Sequence, residues 1–166
     1  MQALRRAILA ADRITTQAAL AAACLALAVA LFAGAWQVVA RFLTETPSVW
    51  SEALVRTALI WMVLLALSAA IRRGALVSID VAHRISTGAV RRALEAIALA
   101  ASLIVLAILF WHGWTMAQRV SMQVMAGMEV SIAWGYAAIP VGAAFAMVGA
   151  VAHFIDRRNA ELEDII

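Results

Sequence analysis

The sequence predicts an all-α integral membrane protein, with four transmembrane helices plus one or two interfacial amphipathic helices. Three observations carry this reading. Of 166 residues, 66% are hydrophobic and the mean hydropathy is +0.94, whereas a soluble domain is about half apolar. Four runs reach the roughly 20 apolar residues that a helix needs to cross a bilayer. The arginines gather between those runs rather than inside them. The whole chain, 1–166, reads as a single membrane domain, with no segment patterned as a strand or a soluble domain.

The first span runs from about Thr15 to Leu43 and is longer than the hydrocarbon requires, so it should tilt or protrude. The second covers about Trp50 to Ile71, the third Ala93 to Gln118, and the fourth Ile132 to Ile155. Two further segments are amphipathic. In residues 1–14, Leu4, Ile8 and Ala11 share a helical face, with Arg5, Arg6 and Asp12 elsewhere. In residues 78–92, Ile79, Ala82, Ile85 and Ala89 share a face, with Arg84, Arg91 and Arg92 off it. Both fit helices lying on the cytoplasmic leaflet. The connection from Thr44 to Val49 contains Pro47 and is short. The stretch from Arg119 to Ser131 is longer and Met-rich, with Gly127 and Glu129, and reads equally as a partner surface or a plain connection.

Charge sets the orientation. All 13 basic residues are Arg. Ten of them precede the first span, lie between the second and third, or follow the fourth; Arg41, Arg56 and Arg119 fall on the other side. The positive-inside rule places the ten, and with them both termini, on the cytoplasmic side of a multi-pass membrane protein. Trp36, Trp50, Trp111, Trp114 and Trp134 then fall near the outer ends of spans as an interfacial belt, while Trp61 sits deeper. The net charge of +3 and pI of about 10.4 are explained by this topology and do not call for nucleic acid.

No catalytic, cofactor or metal set is visible. Cys24 is the lone cysteine and can form no intrachain disulfide. Ala21-Ala22-Ala23-Cys24 lacks the Leu of a lipoprotein site, and the apolar run continues past it, so the first segment reads as a permanent span. His83, His112 and His153 lack metal-ligand spacing; His112, beside Trp111 and Trp114, reads as a buried hydrogen-bonded side chain. Glu52 and Arg56 lie four residues apart on one helix face, and Arg41 and Glu45 repeat that spacing at the end of the first span. Charge within a span is costly and seeks a partner. These four residues are therefore a candidate subunit-interface or docking cluster at the first outer loop.

Small residues at steps of four form two candidate packing stripes. Ala18, Ala22, Ala26, Ala30 and Gly34 mark the first span; Ala138, Gly142, Ala146 and Ala150 mark the fourth. A solute path would need broken helices at matching positions, an inverted repeat or a mid-membrane carboxylate. The sequence shows no repeat, its one proline within a span is Pro140, and no acidic residue lies at mid-depth. A stand-alone four-helix exporter would need a Glu inside the first span. A haem-type anchor subunit would need paired histidines at one depth. Neither pattern is present.

Two stretches carry a family resemblance. The first is Trp50-Ser51-Glu52-Ala53-Leu54-Val55-Arg56, then Trp61, Ile71-Arg72-Arg73-Gly74 and Val77-Ser78-Ile79-Asp80-Val81; the second runs from Trp134-Gly135-Tyr136 to Pro140-Val141-Gly142. In this order, with four spans, the chain resembles the small permease subunit of tripartite ATP-independent periplasmic (TRAP) transporters over nearly its whole length. The resemblance implies two partners besides the lipid bilayer: a large TRAP permease subunit and a periplasmic solute-binding protein. It further implies symport, the sodium-driven uptake of an organic acid such as a dicarboxylate or sugar acid. In that scheme the small subunit braces the moving permease.

Overall fold

The computed structural model describes the backbone of residues 2–43, 48–72 and 88–163, and the side chains of 13–43, 48–72, 90, 93–94 and 96–155. Among the described residues, five helices follow in order: α1 (Gln2–Leu43), α2 (Val49–Arg72), α3 (Gly88–Arg119), a single turn α4 (Ala133–Tyr136) and α5 (Ala138–Glu163). Among the described residues, four stretches are long and apolar enough to cross a membrane: Arg13–Leu43, Val49–Arg72, Ala96–Arg119 and Ala133–Ile155. The protein is an all-α membrane protein, and no strand is found among the described residues.

α1 has 42 residues, or ~63 Å at 1.5 Å per residue, about twice the hydrocarbon thickness. The amphipathic N-terminal residues are thus continuous with the first span, from Gln2 onward. Of the second amphipathic segment, residues 88–92 open α3, and 78–87 lie outside the described residues.

The main contacts between the spanning helices run along a row in the order α1, α2, α5, α3. α2 lies between α1 and α5, and α1 also reaches α5, so that Ala19 and Ala23 of α1, Leu65 of α2 and Val141 and Phe145 of α5 share one apolar cluster; among the described residues α3 touches α5 and has no contact with α1 or α2. The fourth span, last in sequence, is therefore inserted beside the second and is the most buried of the four, while the third is the least.

Small residues set these contacts, because lipid gives helices no hydrophobic reason to associate and close backbone approach must supply packing energy. On α1 the buried and half-buried positions include Ala19, Ala23, Ala26, Ala30, Ala33, Gln37 and Ala40, a 4-3-4-3-4-3 pattern that keeps one seam facing α2. Where α2 crosses α5, a Cβ added at Gly142 would lie 2.8 Å from the Cβ of Leu64 and 2.9 Å from its carbonyl oxygen. Two turns on, one at Gly149 would lie 3.1 Å from the Ser68 carbonyl oxygen. Ala146 and Ala152 are fully buried on α5, and Ser68 is buried on α2 with its hydroxyl donating to Leu65 O at 2.7 Å. Gly113 of α3 meets Ile139 and Pro140 in the same intimate way. Pro140 occupies the first turn of α5, where its missing N–H breaks no helical bond. At the far end, His153 Nδ1 lies 3.1 Å from the Arg72 carbonyl oxygen and ties α5 to the last turn of α2.

Candidate functional site

The end of the row where α1 finishes and α2 starts carries the exposed tryptophans: Trp36, Trp50, Trp111, Trp114 and Trp134. It is built on the start of α2. The Ser48 carbonyl accepts from the Ser51 backbone N–H at 3.3 Å and from its hydroxyl at 2.8 Å, so the fully buried Ser51 is satisfied. The segment between α3 and α4 folds over this start as a compact hairpin. Met125 N–H donates to Val130 O and Ile132 N–H to Gln123 O, both at 2.9 Å, around a single antiparallel bridge between Val124 and Ser131. The Ser131 hydroxyl donates to Ser121 O at 2.7 Å.

Gly127 forms the contact between hairpin and helix. Its φ of +77° lies in the left-handed region that side chains disfavour. A Cβ there would also sit 2.8 Å from Trp50 N and 2.9 Å from Val49 C. Trp61 adds a second tie, donating from Nε1 to Trp134 O at 3.0 Å. Trp61→Phe removes that bond while keeping an aromatic, if smaller, side chain, and an expected loss of about 1 kcal/mol should be read as a lower midpoint of thermal unfolding in mild detergent.

Between hairpin and helix lies a half-open groove of about 420 Å³. Val49, Glu52, Ala53, Arg56, Thr57 and Ile60 of α2 form one wall; Met125, Ala126, Ile132, Gly135, Tyr136 and Ile139 form the other. The floor is apolar. Thr57 donates its hydroxyl to Ala53 O at 2.9 Å and lies 3.6 Å from Met125 Sδ. On the rim, Arg56 Nη2 donates to Glu52 Oε1 at 2.8 Å, with side chains 73% and 60% exposed. An ion pair so exposed contributes little to folding.

The other candidate residues fall as follows. Arg41 is exposed in the last turn of α1, and its i, i+4 neighbour Glu45 lies outside the described residues. On α1, Ala22 is exposed, Ala26 and Gly34 are half-buried and Ala30 is buried; on α5, Ala138, Gly142 and Ala146 are all buried. The first stripe turns out of the α2 contact because four residues advance a helix by ~400°, so each step drifts about 40°. His112 is exposed rather than buried, its Nδ1 3.1 Å from the carbonyl of Ile108 one turn back. Among the described residues, no three His, Cys, Asp or Glu side chains are grouped to hold a metal ion. The hairpin and groove are features that sequence reasoning missed; Gly127 was their one visible signal.

Four closely packed helices, each long and apolar enough to cross a membrane, define a multi-pass membrane protein. The comparisons make the class specific. The family model for the DctQ component of tripartite ATP-independent periplasmic transporters matches residues 30–159. The chain belongs to that family and is a small membrane subunit of a TRAP transporter. A search of curated proteins finds no match.

Proposed function

We propose that this subunit braces a large permease subunit during sodium-driven uptake of an organic acid delivered by a periplasmic binding protein. The observation that carries this reading is the row itself. The outer helices α1 and α3 leave large side chains such as Leu31, Phe32, Ile104 and Trp111 exposed. Closely packed helices with exposed apolar faces suit a static support for a moving neighbour. The arginine-rich end faces the cytoplasm by the positive-inside rule, and the tryptophan end faces the periplasm. There Arg41, Glu45, Glu52 and Arg56 form the polar part of the contact with the permease or the docked binding protein.

Co-purification tests the brace. In mild detergent a tagged copy should bring down a permease of roughly 12 spans, encoded with a secreted binding protein in adjacent reading frames; a chain that emerges alone defeats the proposal. The charged rim has its own test. Arg56→Ala should leave the thermal midpoint of the isolated chain nearly unchanged, since the pair is exposed, yet lower uptake well below that of Cys24→Ser. Unaltered uptake would remove the rim from the interface.

A further inference from the structure

The groove beside the Glu52–Arg56 pair has properties that bracing does not require. About 420 Å³ lies within the 300–1,000 Å³ typical of small-molecule sites. Its floor is apolar and its rim carries one cation and one anion held 2.8 Å apart. Arg56 stands seven residues beyond the start of α2 at Val49, or about 10 Å along the axis. The exposed Trp50 and Trp134 lie close by, and indoles prefer the membrane–water interface. A charged rim over an apolar floor at this depth has the polarity profile of a lipid: a head at the interface and a chain beneath.

We propose that the groove binds one phosphatidylethanolamine, its phosphate on Arg56, its ammonium on Glu52 and an acyl chain along Ala53, Ile60 and Ile139. The charges select among headgroups. The Glu52–Arg56 contact uses one N–H of a guanidinium that carries five and one oxygen of a carboxylate that carries two, so both groups keep capacity for a ligand. A zwitterion satisfies both. An anionic headgroup satisfies Arg56 but meets Glu52 with like charge, and a quaternary ammonium gives Glu52 no N–H to accept. Tyr136, half-buried in the opposite wall, brings a hydroxyl of the kind an ester carbonyl accepts. The groove lies wholly within this chain, so retention by the isolated chain does not depend on a partner; in the assembled transporter the headgroup would stand between Glu52 and Arg56 and the neighbour they face.

Native mass spectrometry of the purified full chain tests it, after reconstitution in vesicles of equal phosphatidylethanolamine, phosphatidylcholine and phosphatidylglycerol. The wild-type chain should retain one phosphatidylethanolamine in preference to the other two. Arg56→Gln should lower that retention about tenfold, the equivalent of one charge-assisted hydrogen bond. Glu52→Gln should instead shift the preference toward phosphatidylglycerol, because the cation then stands alone. Ala53→Phe should reduce all three by filling the floor; the two exposed rim variants keep the test decisive if that one fails to fold. Equal retention of the three lipids, a wild-type chain that keeps none, or an Arg56→Gln chain that binds as wild type would each overturn the proposal. So would displacement of the lipid by millimolar inorganic phosphate, which would mark a site for a free anion.

Discussion

Gly142→Leu should abolish the α2–α5 crossing. At this position even the first added carbon meets the Leu64 Cβ at 2.8 Å and the Leu64 carbonyl oxygen at 2.9 Å. The carbonyl belongs to a helix and cannot yield as the end of a flexible side chain can. Gly142→Ala should therefore cost about 1–3 kcal/mol, as overpacking in a close-packed contact does. Leucine adds three more carbons and should separate the helices outright. Because α5 also carries α3, the damage should spread through the row. Gly34→Ala is the control: its added carbon meets nothing nearer than Val55 Cγ2 at 3.9 Å, and alanine favours a helix over glycine by about 1 kcal/mol. The same change should thus destabilise one helix and leave the other unchanged or firmer. Thermal unfolding in mild detergent separates the cases, and a Gly142→Leu protein that melts with the wild type would refute the crossing.

Gly127→Val should undock the hairpin from α2. The positive φ costs a β-branched residue on the order of 1–3 kcal/mol, and the added carbon overlaps backbone atoms of Val49 and Trp50 as well. The expected result is faster hydrogen exchange and proteolysis across residues 120–132, with the spans intact, and lower uptake if this end docks a partner. Gly127→Asn separates the two causes. Asparagine tolerates the left-handed conformation but still carries a Cβ, so it should remain defective. Full protection in the Asn variant would show that conformation alone matters there.

These expectations rest unevenly on what the sequence reveals. Four apolar runs of span length lead directly to four helices, because in lipid a helix satisfies every backbone polar group within its own segment. The Glu52–Arg56 pair follows from i, i+4 geometry alone. Helix order is different: nothing in α5 announces that it lies between α2 and α3, since that depends on Gly142, Gly149 and Gly113 each meeting a distant partner. The α1 seam was obscured by the abundance of alanine. A step of four and an alternation of four and three are both available there, and only contact with α2 selects the second. The hairpin was hidden for another reason: it is held by backbone hydrogen bonds and one left-handed glycine, which leave almost no trace in residue type. The groove inherits that obscurity, since half its wall is hairpin.

The row arrangement bears on the life of the protein in the cell. This protein keeps large apolar side chains exposed along α1 and α3, and its buried side chains are mostly alanines. Its stability should therefore depend on assembly through mass action, as for any chain that gains free energy on binding a partner. A cell making this subunit without its permease should hold little of it, because membrane proteases clear the orphaned chain. Pulse-chase in strains with and without the neighbouring genes would measure that dependence as a difference in half-life.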